Sequence, residues 1–81
     1  MVENNIDVKI DLTSNNLALF IQKASRYKAD VFVEKNELRA NAKSLLGLLS
    51  LQIIDGDSVK LIANGEDECQ ALQELEEYLQ H

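Results

Sequence analysis

A hydroxyl at the head of a leucine run is the first chemistry the sequence offers. In ANAKSLLGLLSLQI, residues 40–53, Lys43 and Ser44 precede five leucines in seven positions, Leu45 to Leu51. A serine placed there caps a helix by accepting one of its orphan backbone N–H groups, which contributes about 1 kcal/mol. A helix this short turns one stripe toward a core, so some of the leucines are expected to stay exposed. The plainer alternative is that neighbouring helices cover most of them.

The remaining candidates are weaker. DLTSNN, residues 11–16, gathers Thr13, Ser14, Asn15 and Asn16, all residue types that favour helix starts. Asn15 and Asn16 suit capping and carry no chemistry of their own. Thr13 is an alcohol, and an alcohol needs a neighbouring base to act as a nucleophile. The only histidine is His81, the last residue, and one histidine is not a metal site. GEDE, residues 65–68, reads as the acidic start of a helix. It lacks the alternating ligands and distal glutamate of a calcium loop. The lone Cys69 is expected to be a small core residue. With no nucleophile–base pair, no phosphate-binding glycine loop and no metal cluster, neither an enzyme nor a cofactor is expected.

Composition narrows the class further. Eighty-one residues suffice for one small domain, 1–81, with a thin core. The net charge of −6, from 14 acidic and 8 basic residues, disfavours direct binding to nucleic acid. No segment approaches the ~18 apolar residues of a membrane span. The start, MVENNIDVKID, lacks the regions of a signal peptide. With a single cysteine and no such segment, a cytoplasmic location is the expectation.

These side chains need elements to position them. IDVKI, residues 6–10, alternates with Ile6, Val8 and Ile10 on one face, a strand pattern. Leu17, Phe20, Ile21 and Ala24 recur at helical spacing, with Tyr27 continuing the stripe, which predicts a helix over 14–27. Ala29, Val31 and Val33 alternate with Asp30, Phe32 and Glu34, a second strand. Asn36-Glu37 then turns into Leu38, Ala40 and Ala42, so the pair reads as a hairpin. Glu37 sits uneasily there, because a type I′ turn needs positive φ at both central residues. The short helix after Ser44 follows, then a turn at Asp55-Gly56-Asp57 and a strand carrying Val59, Leu61 and Ala63. Leu72, Leu75 and Leu79, with Cys69 and Ala71, form the stripe of a last helix. The order βαββαβα predicts an α+β open-faced sandwich: a four-stranded antiparallel sheet with helices covering one face. Phe32, opposite in parity to its neighbours, is expected on the uncovered face.

This order and several local runs resemble the HPr family, the small phosphocarrier proteins of the bacterial sugar phosphotransferase system. The resemblance spans nearly the whole chain. ASRYKADVFVEKNE, 24–37, is similar to the end of the family's first helix, second strand and hairpin. NAKSLLGLLSL, 41–51, is similar to its most specific run, and GEDE to the start of its last helix. Family members that carry phosphate have a Gly-hydrophobic-His-Ala-Arg-Pro loop at the start of the first helix. Matched without a gap, Thr13 falls at the histidine, Asn15 at the arginine and Asn16 at the proline. A two-residue deletion in the loop is the other open register. His81 cannot occupy the loop by sequence in either. A threonine phosphate ester is too stable to pass phosphate on, so a histidine phosphocarrier is not expected.

The resemblance implies what remains. In Gram-positive members the serine of this run, here Ser44, is phosphorylated by a dedicated serine kinase of the HPr kinase type. A catabolite-repression branch of the family lost the histidine and kept the serine, and VFVEKN…NAKS is similar to that branch. Its members signal to a transcriptional repressor of the catabolite-control type. By the same resemblance Leu45, Leu46 and Leu49 are the leucines expected to face out and, with Lys43, to meet a partner. With Asn15 matched to the family arginine, the repressor contact is expected to be weakened or lost. The alternative is a constitutive interaction module in which Ser44 is only a helix cap.

Overall fold

The computed structural model describes residues 1–81, the side chain of Ser14 excepted. Seven elements follow one another: β1 (Val2–Asp7), α1 (Ser14–Ser25), β2 (Asp30–Lys35), β3 (Leu38–Asn41), α2 (Leu45–Leu51), β4 (Ser58–Asn64) and α3 (Glu68–Gln80). The strands form one sheet in the order β1-β4-β2-β3, antiparallel throughout. This is the open-faced α+β arrangement expected from the alternation.

Register explains which residues face the helices. Val59, Leu61 and Ala63 on β4 stand beside Val33 and Val31 on β2 and beside Ile6 and Val2 on β1. Most of these are buried with Phe20, Leu17 and Ala24 of α1 and with Ala71, Leu75 and Leu79 of α3. Ile21, Leu72 and Tyr78 close the rim as half-buried neighbours. Burying side chains of this size removes apolar surface from water at about 1.5–3 kcal/mol each, the main driving force for a domain this small.

On the other face, Phe32 pairs in register with Ile62 and Asn41. It is half-buried, as Arg39 lies over its ring at 5.7 Å from the centroid. Ion pairs from Arg39 to Glu34 (3.1 Å) and from Lys60 to Glu3 (3.9 Å) lie on the same face.

Several boundaries differ from expectation. The first strand runs from Val2 to Asp7, not over 6–10. Asn4, at an inward position, donates its amide to Glu76 of α3 at 3.0 Å, so the strand pairs without showing apolar alternation. Val8 is fully buried but lies beyond the ladder, with its N–H given to the Asp57 carbonyl at 2.8 Å. α1 ends at Ser25, two residues before Tyr27. Leu38 begins β3 yet is exposed, beyond the reach of the helical cover.

Cys69 was expected in the core and is exposed instead. The buried stripe of α3 is Ala71, Leu75 and Leu79. Cys69 lies two residues before it, about 200° around the helix at roughly 100° per residue.

The hairpin turn keeps the strain legible in the sequence. Asn36 has φ 50° and Glu37 φ 70°, both left-handed. Asn tolerates this region, but Glu pays roughly 1–2 kcal/mol for it. Glu37→Gly is expected to raise the urea midpoint, with a gain of about 1 kcal/mol read by denaturation.

Candidate functional site

The residues around Ser44 form a closed turn. Asn41 ends β3, and its carbonyl accepts the Ser44 N–H at 2.9 Å while its side-chain oxygen accepts the Lys43 N–H at 2.8 Å. Ser44 keeps extended backbone, φ −110° and ψ 115°, and is the N-cap of α2. Its hydroxyl oxygen accepts the Gly47 N–H at 3.2 Å, and its carbonyl accepts the Leu48 N–H at 3.1 Å. Ser44 is half-buried, and its hydroxyl is a satisfied cap as the sequence implied. Gly47 lets α2 lie close to the sheet: a Cβ there would stand 3.3 Å from Ala40 Cβ and 3.3 Å from Ser44 Oγ.

The leucines divide between the two sides of α2. Leu48 and Leu51 are 2% and 6% exposed and belong to the core. Leu45, Leu46 and Leu49 are 51%, 77% and 48% exposed. A seven-residue helix thus turns two leucines inward and three toward solvent. The exposed three begin immediately after the capping serine.

Lys43 is half-buried and turned inward. Its Nζ donates to the Tyr27 carbonyl at 2.8 Å. This bond joins residues 16 apart through a backbone acceptor. No side-chain pattern in the sequence signals such a bond. The far end of α2 is held in a similar way. Gln52 ends the helix in left-handed conformation, and Lys35 donates to its carbonyl at 2.7 Å while pairing with Asp57 at 2.7 Å. The Lys35 bond and then the Ile54 N–H hold the Asp57 carboxyl below its ordinary range.

Thr13 occupies the N-cap of α1, exposed, with no side-chain capping bond. Its N–H and the Asn16 amide both donate to the Asp11 carbonyl, each at 2.9 Å. The Asp11 carboxylate accepts the Asp55 N–H at 2.8 Å. Asn15 is exposed. An acidic side chain therefore stands in this loop, and neither a cationic side chain nor an imidazole belongs to its 11–16 segment.

His81, exposed beyond α3, lines a surface groove of about 450 Å³ together with Asn16, Tyr78 and Glu77. Tyr78 donates its hydroxyl to the Asn16 carbonyl at 3.1 Å, which brings the end of α3 beside the start of α1. The linear sequence did not reveal that approach. Among the described residues no group of three His, Cys, Asp or Glu could hold a metal ion. Among the described residues no helix is long and apolar enough to cross a membrane.

A one-faced sheet in the order β1-β4-β2-β3, with a capped serine opening a short helix, defines a phosphocarrier-like class. The family model described as the phosphorylation site of the HPr component of the phosphotransferase system matches residues 3–81, and the chain belongs to the HPr family. It is 45% identical to the HPr-like protein Crh of Bacillus subtilis over 82 residues, covering 99% of this chain and 96% of that protein. It is 35% identical to the phosphocarrier protein HPr of Neisseria meningitidis over 77 residues, covering 93% and 86%. The crystal structure of HPr from Bacillus anthracis superposes with a TM-score of 0.95 at 37% identity, covering 98% of this chain and 96% of that one. Members of this family are phosphocarrier or regulatory proteins, not enzymes. The chain is accordingly an HPr homologue similar to Crh.

Proposed function

We propose that this protein is a cytoplasmic, non-catalytic regulator. Its Ser44 accepts phosphate from a serine kinase of the HPr kinase type. The phosphorylated face then binds a transcriptional repressor of the catabolite-control type. The observation that carries the reading is the juxtaposition of the Ser44 hydroxyl with the exposed Leu45, Leu46 and Leu49 on a chain whose Thr13 stands in the ungapped match where carriers have histidine. A helix start tolerates added negative charge, so phosphate at this position modifies the surface without straining the fold. The three leucines supply an apolar area beside it for a partner to cover. The loop segment 11–16 offers Thr13 no imidazole as a base, and a threonine phosphate ester would not transfer onward.

Two phosphoryl donors test the reading on one preparation. With ATP and the serine kinase, the chain is expected to gain one phosphate, mapped to Ser44 by peptide mass analysis and absent from Ser44→Ala. With phosphoenolpyruvate and the first enzyme of the phosphotransferase system, no acid-labile phosphate is expected. Such phosphate on any residue, His81 included, would overturn the assignment as a non-carrier. Failure of the kinase to modify Ser44 would leave the constitutive interaction module as the better reading.

A further inference from the structure

We propose that Lys43 is a positioning residue for Ser44, its ammonium fastening the turn that presents the hydroxyl to the end of α1. The inference rests on the phosphorylation reading and names what holds the acceptor in place. Successive side chains of extended backbone point to opposite sides, and Ser44 is extended. Lys43 therefore runs inward, while the half-buried Ser44 turns its side chain to the other side, over the first turn of α2. Its ammonium reaches the Tyr27 carbonyl at 2.8 Å. That carbonyl lies two residues past α1, where backbone acceptors lack helical partners and the dipole is negative. A charged donor at this acceptor makes a bond stronger than a neutral one.

The acceptor is itself immobilised. The Tyr27 hydroxyl donates to Glu74 of α3, which also takes Arg26 at 2.6 Å and Lys23 at 3.3 Å. The next two N–H groups, of Lys28 and Ala29, are held by Asp67 at 3.0 and 2.9 Å. Lys43 thus couples the Ser44 turn to a segment pinned by α3. Together with the two backbone N–H bonds that Asn41 accepts and the Gly47 bond, it limits the positions open to Ser44 Oγ. A hydroxyl acting as acceptor in phosphoryl transfer gains rate from such restraint.

Two substitutions and two readouts test this. Lys43→Met keeps the apolar stem and removes the donors, and Lys43→Gln is shorter and neutral. In both, amide exchange at Gly47 is expected to quicken about tenfold, the loss typical of a hydrogen bond from a charged donor. Phosphorylation is expected to fall about tenfold in kcat with KM little changed, because positioning acts on the bound state. Lys43→Arg, which keeps charge and donors, should restore most of both. Unchanged Gly47 exchange in the two neutral variants would overturn the proposal. So would a rise in KM alone, which would make Lys43 a direct contact for the kinase. If the native chain takes no phosphate at all, the phosphorylation reading fails, and Gly47 exchange still decides whether the clamp exists.

Discussion

Gly65→Ala is expected to lose about 2–4 kcal/mol of stability, combining overpacking with a strained backbone. Gly65 has φ 154°, and a Cβ placed on it would stand 2.6 Å from Ala29 Cα and 3.0 Å from Ala29 Cβ. Its neighbour is backbone, and that backbone cannot retreat. The Ala29 N–H is held by Asp67, the carboxylate that begins α3, and Asp30 beside it pairs with Asn64 in the sheet. Hydrogen bonds from Lys28 and then Ala29 also hold the Asp67 carboxyl below its ordinary range. The junction of β4 and α3 is thus welded to the start of β2. A loss of that size is a large share of the roughly 4–12 kcal/mol expected of a domain of this length. Urea denaturation reads it directly. Gly56→Ala is the control: φ is 98° there, but nothing lies within 4 Å of the added atom, so only the backbone cost of about 1 kcal/mol applies.

The second large effect separates two leucines of one helix. Leu48→Ala should cost about 2–5 kcal/mol, because the side chain leaves a cavity beneath α2. Leu46→Ala should change stability by no more than about 0.5 kcal/mol, as expected of an exposed position. Leu46 is 77% exposed and Leu48 2%. The partner assay should rank them differently. Leu46→Ala folds normally and binds the phosphorylation-dependent partner weakly. Thermal unfolding and a pull-down on the same preparations make the comparison. Equal destabilisation by the two substitutions would mean that α2 is seated differently on the sheet.

Much of this was readable from residue types. The alternation of Val31 and Val33, and of Val59, Leu61 and Ala63, placed two central strands and their inward faces correctly. The excess of leucines over one helical stripe foretold exposure on α2. Ser44 as a cap followed from its place ahead of that run. The edge strand was harder. β1 is held by pairing with β4 and by an Asn4–Glu76 bond, so Glu3, Asn4 and Asn5 carried no hydrophobic signal. Cys69 was misplaced because its neighbourhood to Ala71 and Leu72 suggested burial, while its phase on α3 turns it outward. The Lys43–Tyr27 bond and the approach of His81 to Asn16 depend on tertiary placement. Neither leaves a pattern in local sequence.

The most direct test of the central claim is the affinity of this chain for the purified catabolite-control repressor, titrated with and without phosphate on Ser44. If the ungapped register holds, with Asn15 at the position of the family arginine, the complex is expected to be weaker than that of an arginine-bearing relative while still depending on phosphate. The phosphorylated chain is expected to bind at least about tenfold more tightly, a difference of about 1.4 kcal/mol. Leu46→Ala is expected to lose most of that gain while still accepting phosphate. Equal binding by the phosphorylated and unphosphorylated chains would rule out Ser44 as the switch.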